Sequence, residues 1–331
     1  MPEFRKDPIV GHWVIISKER SQRGSDWIIK PHYEKINGFC PFCEGNEDKT
    51  PPEIYALRSN DSKKDGPGWK IRIVPNKYPA LLHTGKVSPE HNGIFHKLNG
   101  IGAHEVFVET PDHAAKFTDF PPRHIFDILK AFQYRILHLK QDRRLKYVII
   151  FKNEGFAAGA SLEHSHSQLI GTPIVPKAIK EKLEGFRKYF SRHKTCVFCD
   201  LIKRERLEKT RVVFESKHFT ALAPFASRFP FESWILPINH IANYENMEDD
   251  YYFDLAINLK DVLKKIKMGL NDPAYNLILH SCPFTHSKNI DFHWHIEIIP
   301  KISSTAGFEW GSGIHINPVP PEAAAEWLRE N

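Results

Sequence analysis

Cysteine is scarce in this chain, with five among 331 residues. A disulfide-stapled scaffold needs far more in a shorter chain, so that class is excluded. Long apolar runs are also missing. The longest, such as Tyr147 to Phe151, are of strand length, well short of the roughly 20 residues that span a bilayer. Met1 to Ser17 carries Glu3, Arg5, Lys6 and Asp7 ahead of any apolar run, unlike a signal peptide. Nor is there a strong charge of one sign: 46 Lys and Arg against 40 Asp and Glu leave +6. No basic stripe with interleaved aromatics points to nucleic acid. The expectation is a cytoplasmic protein with no membrane and no nucleic-acid partner. What is present is a foldable mix, 41% hydrophobic and 12% aromatic, with 19 histidines. At about 150 residues per domain the length suggests two domains or one duplicated unit.

Four of the five cysteines form two pairs, Cys40-Pro41-Phe42-Cys43 and Cys196-Val197-Phe198-Cys199. Both carry Phe before the second Cys, and they lie close to half the chain apart, which invites a search for a repeat. In the first half, residues 69–75 and 103–110 read as strands by alternation and β-branched content. Residues 122–142 read as a helix, with Ile125, Ile128, Leu129, Phe132, Ile136 and Leu139 at helical spacing and Pro122 near its start. Strands follow at 146–152 and 167–175. The second half repeats the order. Strands at 210–215, 219–223 and 233–237 precede a helix at 249–270, with Phe253, Ala256, Ile257, Lys260, Leu263 and Ile266 on one side. Strands at 274–280 and 291–300 follow. A helix at 177–193 joins the halves, and a short one closes the chain at 320–330. The fold class is α+β, in two similar sheet-plus-helix units, 1–176 and 177–331.

Each half also repeats an order of metal-ligand residues. Cys40 and Cys43, His113 after a strand and His164 before another are echoed by Cys196, Cys199, His240 and His293. Closed structural zinc sites take four Cys and His ligands, so the expected cofactor is Zn2+, two per chain. Buried inert thiols are the alternative for a single pair, and the reading for Cys282. A zinc ribbon would set its pairs roughly 15–20 residues apart, which fails here.

The His-x-His spacing has a second meaning. Residues i and i+2 of a strand share a face, so His166 can stand beside a metal-bound His164 with its own imidazole free. Neutral imidazole is a nucleophile toward phosphorus. Gln168, next on that face, can donate to a phosphoryl oxygen without adding negative charge. Asn153 to Ser161 is a small-residue loop suited to close backbone approach to phosphate. The matching second-half residues are His293, His295 and Glu297, with no glycine in the approach from His280 to His286. A carboxylate there repels phosphate, so the chemistry is assigned to the first half.

At these residues the sequence resembles the galactose-1-phosphate uridylyltransferase family, the transferase branch of the histidine-triad superfamily. The resemblance spans nearly the whole chain. It covers Arg20-Ser21-Gln22-Arg23, the first Cys pair, Val74 to Ala80, the stretch ending at His113, Asn153 through Gln168, His293-Trp294-His295 and Gly307-Phe308-Glu309. It implies two histidine-triad-like units and ping-pong transfer through a nucleotidyl-histidine on His166, with Gln168 on the phosphoryl oxygens. Arg20, Arg23, Asn76, Asn153, Gly159, Ala160, Ser161 and Gly307 would line the substrate pocket. Arginine contacts suit a diphosphate. The donor would be UDP-glucose with a hexose 1-phosphate acceptor, and the protein a homodimer. Two departures are similar to a plant-type relative that transfers adenylyl from ADP-glucose to phosphate: His-Ser-His-Ser-Gln replaces His-Pro-His-Gly-Gln, and Cys196 and Cys199 replace a glutamate ligand. That activity and a histidine-triad nucleotide hydrolase are the alternatives.

Overall fold

The computed structural model describes residues 2–18, 39–285 and 292–331. In chain order it begins with β1 (Glu3–Lys6), β2 (Trp13–Ile16), β3 (Tyr55–Arg58) and β4 (Trp69–Pro75). A separate hairpin, β5 (Pro89–Asn92) and β6 (Phe95–Leu98), leads to β7 (Ala103–Val108), α1 (Pro122–Leu139), β8 (Tyr147–Glu154) and β9 (His166–Thr172). Then come α2 (Lys177–His193), α3 (Val197–Glu208), β10 (Val212–Glu215), β11 (Phe219–Leu222), β12 (Ser233–Pro237), α4 (Asp249–Gly269), β13 (Tyr275–His280) and β14 (His295–Pro300). The chain closes with α5 (Gly307–Ser312), β15 (His315–Asn317) and α6 (Pro321–Glu330).

The two units do not keep separate sheets. Their strands form one ten-stranded sheet in the order β10-β11-β12-β14-β13-β8-β9-β7-β4-β3, antiparallel throughout. Each half supplies five strands in the same relative order, the last two exchanged, and the halves meet where β8 pairs with β13. That pairing satisfies two sheet edges at once. Phe151 faces Gln168 on β9 as Ile278 faces Glu297 on β14. Phe151 and Ile278 also face each other, so the pseudo-two-fold axis runs between them.

One face of the sheet holds the main core. There Ile125, Ile128, Leu129, Phe132 and Ile136 of α1 pack with Tyr252, Leu255, Leu259, Val262 and Ile266 of α4, and with Ala324 and Leu328 of α6. The expected stripe on α1 is buried. On α4 Ala256, Leu263 and Ile266 are buried as expected, but Phe253 is 42% and Ile257 39% exposed, with Tyr252, Leu255 and Leu259 buried instead. Neighbouring α1 and the sheet decide the buried side, which periodicity alone leaves within a residue.

The other face is covered unequally. In the second half, Ile179, Leu183 and Phe186 of α2 and Val197, Phe198 and Ile202 of α3 pack with Leu222, Trp234 and Leu236. Cys282 is buried in the same cluster, in line with an inert thiol. In the first half, among the described residues, only a small cluster of Trp69, Val74, Val106 and Val108 with Phe42 and Ala56 lies over that face.

Candidate active site and metal centres

Both sets of cysteine and histidine come together. The ligand atoms of Cys40, Cys43, His113 and His164 lie within 4.8 Å of one another, and so do those of Cys196, Cys199, His240 and His293. In the first set, His113 Nδ1 is 3.4 Å from Cys43 Sγ, and His164 Nδ1 is 3.6 Å from Cys40 Sγ and 3.7 Å from Cys43 Sγ. In the second, His240 Nδ1 is 3.5 Å from Cys199 Sγ, and His293 Nδ1 is 3.9 Å and 3.8 Å from Cys196 and Cys199 Sγ. The S···N edge of a tetrahedron with ordinary Zn–S and Zn–N bonds is about 3.5 Å, so both donor sets fit such an ion. His164 Nε2 donates to the Thr110 carbonyl at 2.6 Å and His293 Nε2 to the Pro237 carbonyl at 2.9 Å. Each Nε2 thereby holds a proton on the side away from the site and each Nδ1 is aimed at the sulfurs, the orientation metal-bound histidines use. Burial also pushes His164 down to a pKa of about 4. The second Cys pair opens α3, with Cys196 as its N-cap residue. That helix is absent from the sequence reading, because its fully buried apolar residues are only Val197, Phe198 and Ile202.

His166 starts β9, so His164 sits just outside the regular strand. The His166 ring is oriented twice over. Nδ1 lies 2.8 Å from the His164 carbonyl, and the ring packs against Phe42 at 5.5 Å between centroids. Nδ1–H donating to that carbonyl leaves Nε2 with its lone pair, and no hydrogen bond engages Nε2 among the described residues. Burial, then the charge of Lys152, lowers the pKa of His166 below 6.5 and favours the neutral ring. Gln168 lies on the same face, with its Oε1 2.9 Å from His104 Nε2 and 3.4 Å from Asn76 Nδ2. Asn153 follows on β8 two residues beyond the Phe151–Gln168 pair, and its Oδ1 accepts from Asn276 Nδ2 at 2.8 Å.

The second half copies the scaffold but engages the matching imidazole nitrogen. His295 Nδ1 lies 3.0 Å from the His293 carbonyl, and Phe198 packs on its ring at 5.0 Å. Its Nε2, however, is 2.8 Å from Lys182 Nζ, which is also 2.6 Å from Glu297 Oε1. Arg228 holds the other Glu297 oxygen at 2.8 Å. Burial opposes the charge of Glu297, but Lys182 and Arg228 outweigh it and hold its carboxyl well below the usual range. Burial and Lys182 push His295 down to about 3. Glu297 is therefore neutralised, and simple repulsion of phosphate is not what distinguishes the halves. An ammonium on the imidazole and two covering helices are. His280, His295 and Glu297 also approach one another closely enough to chelate, but Lys182 already supplies their cation.

Sequence models of the galactose-1-phosphate uridyl transferase family match both parts of the chain, the N-terminal domain over residues 1–176 and the C-terminal domain over 182–330. The chain belongs to the galactose-1-phosphate uridylyltransferase family. Family members are nucleotidyltransferases, and so is this protein. Among curated relatives it is 39% identical to an ADP-glucose phosphorylase of Arabidopsis thaliana, over 99% of this chain and 93% of that protein. It is 32% identical to a galactose-1-phosphate uridylyltransferase of Thermotoga maritima, over 100% and 98%. Its fold matches the crystal structure of an Arabidopsis thaliana ADP-glucose phosphorylase with bound ADP-glucose at a TM-score of 0.85, with 35% identity over 100% and 99% of the two chains.

The departure from the family's His-Pro-His-Gly-Gln has a structural account. Ser165 and Ser167 point to the face opposite His166, where their hydroxyls donate to Glu109 Oε2 at 2.6 Å and Oε1 at 2.5 Å. Lys152 Nζ donates to Glu109 Oε2 at 2.8 Å, to Ser165 Oγ at 3.0 Å and to the His166 carbonyl at 3.1 Å. Burial opposes the charge of Lys152, but Glu109 and Glu154 outweigh it and raise its pKa. Lys152 and Glu109 escape a sequence reading. The signal was a charge closing the apolar strand Tyr147 to Phe151, but its partner is set by strand order.

The remaining expected family residues divide. Gly159 and Ser161 are exposed and Ala160 is half-buried, in the loop between β8 and β9. Gly159 has φ +89°, and a Cβ there would make only an ordinary contact, 3.8 Å from Asn153 Nδ2. Gly155 differs: at φ +80°, a Cβ would come 2.8 Å from that of Ala274. Its smallness serves packing between the halves rather than close approach to phosphate. Asn76 is engaged at both amide ends, its Oδ1 accepting from Tyr78 N–H at 2.9 Å. Gly307 begins α5, and no hydrogen bond between described side chains ties it to the His166 face. Arg20 and Arg23 lie outside the described residues. No described helix is long and apolar enough to cross a membrane.

Proposed function

We propose that this nucleotidyltransferase works by ping-pong transfer through His166, with UDP-glucose as donor and a hexose 1-phosphate, galactose 1-phosphate, as acceptor. His166 Nε2 attacks the α-phosphorus, a P–N bond forms, and the P–O bond to the sugar phosphate breaks. A phosphate oxygen of the acceptor then displaces the imidazole. Gln168 donates to the phosphoryl oxygens, and Arg20, Arg23, Asn76, Asn153, Gly159, Ala160, Ser161 and Gly307 contribute to the substrate pocket. The observation that carries this reading is the contrast between the halves: among the described residues His166 Nε2 has no hydrogen-bond partner, while His295 Nε2 meets Lys182.

A second reading is adenylyl transfer from ADP-glucose to phosphate. The all-Cys/His second set and the likeness to ADP-glucose phosphorylase favour it. Zinc in both sets, two per chain, would brace the fold. The catalytic half is taken as 1–176 and the second as 177–331, between the end of β9 and the start of α2. A homodimer and a cytoplasmic, reducing setting, which suits thiolate ligands, complete the proposal.

The test is a donor and acceptor screen. Protein incubated with labelled UDP-glucose or ADP-glucose gains one nucleotidyl group on His166, seen by mass spectrometry, and His166→Asn gains none. Release into galactose 1-phosphate or inorganic phosphate identifies the acceptor. Equal release into water without acceptor would identify a hydrolase instead. No adduct with any nucleoside diphosphate sugar would sink the reading.

A further inference from the structure

We infer that His104 is a positioning residue that sets which end of the Gln168 amide meets the reacting phosphoryl group. The inference rests on nucleotidyl transfer through His166 and adds a determinant to it. A glutamine side chain has a donor end and an acceptor end, and only the donor end can favour a phosphate. Nothing in the residue itself decides between them. The choice must come from its neighbours.

The hydrogen-bond network makes that choice. The backbone N–H of Ala80 donates to His104 Nδ1 at 3.0 Å. Nδ1 is therefore an acceptor, and the neutral ring carries its one proton on Nε2. That Nε2–H points at Gln168 Oε1, 2.9 Å away. A second line reaches the same oxygen. Tyr78 N–H donates to Asn76 Oδ1 at 2.9 Å, which fixes the Asn76 amide and makes its Nδ2 a donor; that Nδ2 lies 3.1 Å from His104 Nε2, which already carries its proton and cannot accept, so it donates to Gln168 Oε1 at 3.4 Å. Two backbone donors of one turn thus fix two side chains, and both donate to one carbonyl oxygen. A reversed Gln168 would set its own N–H groups against both donors and lose both bonds. Its Nε2 is left without a hydrogen-bond partner among the described residues, on the face it shares with His166.

The second half supports the reading by contrast. Val106 opposes Gln168 as Trp234 opposes Glu297, so Glu232 occupies the position of His104. There it binds Arg228, which in turn holds Glu297. The charged counterpart is met by a cation, while the amide is met by a neutral donor of fixed tautomer.

A double-mutant cycle on the zinc-loaded protein tests this, with pre-steady-state formation of nucleotidyl-His166 as the readout. His104→Ala should slow adduct formation about tenfold or more at saturating donor, because a donor to the reacting oxygens is no longer preoriented. Donor half-saturation should change by less than about threefold. In the Gln168→Ala background, His104→Ala should add less than about twofold, because the two act as one unit. Equal slowing in both backgrounds, or none in the wild type, would overturn the inference. If His104→Ala does not fold, the ring 15N shifts of His104 in the wild type decide: a proton on Nδ1 overturns the inference, one on Nε2 supports it. Absence of any adduct in the wild type instead refutes transfer through His166, and the tautomer measurement still judges the His104–Gln168 link.

Discussion

Lys182 Nζ lies 2.8 Å from His295 Nε2, on the nitrogen that in its counterpart His166 has no hydrogen-bond partner among the described residues. The two histidines otherwise share the carbonyl contact and the packed phenylalanine. Adduct formation should therefore be confined to His166. His166→Asn should lower turnover at least about a thousandfold, as loss of a nucleophile does. His295→Asn should leave it within about threefold, since the site is remote from the chemistry. Peptide mapping of the labelled protein checks both, and label on His295 would refute the assignment.

Beneath the active strand, Lys152 and Glu109 are almost fully buried, 1% and 0% exposed along their side chains. Removing one partner strands the other charge. Lys152→Met should destabilise the protein by about 3–5 kcal/mol, and pairing it with Glu109→Gln should recover much of that. Urea unfolding of the single and double variants measures the coupling. Strict additivity would show that the pair does not act as one.

Zinc content should respond to each set separately. Cys43→Ala and Cys199→Ala should each remove about one equivalent by elemental analysis, and a strong chelator should lower the melting temperature, because metal binding is coupled to folding. A freshly purified protein without zinc would refute both sites.

The two loop glycines should differ. Gly155→Ala meets both an unfavourable φ and the Ala274 Cβ, and should cost about 2–3 kcal/mol. Gly159→Ala meets only the φ penalty and should cost about 1 kcal/mol. Thermal melts compare them; equal losses would remove the role of the Ala274 contact.

Much of the site was legible in the sequence because its signals are local or repeated. Cys-x-x-Cys needs only a tight turn, and His-x-His needs only a strand's two-residue period. Their recurrence in the same order separated ligand sets from chance cysteines. His104 and Glu109 were illegible because their partners, Gln168 and Lys152, stand on other strands. Which residues oppose each other depends on register, and no spacing along the chain encodes it.

The sequence by itself determined the α+β class, most of the central strands and the α1, α2, α4 and α6 helices, the duplicated order and the eight metal-ligand candidates, through periodicity and residue chemistry. It also singled out the first half, by Gln168 and the loop glycines. Only the tertiary structure decided that the two sheets join at Phe151 and Ile278, that α2 and α3 cover one histidine face, and that Lys182 caps His295. The physical reason is that long-range pairing, burial and charge neutralisation depend on which surfaces meet. Glu297 reads as an anion hostile to phosphate until Lys182 and Arg228 are beside it.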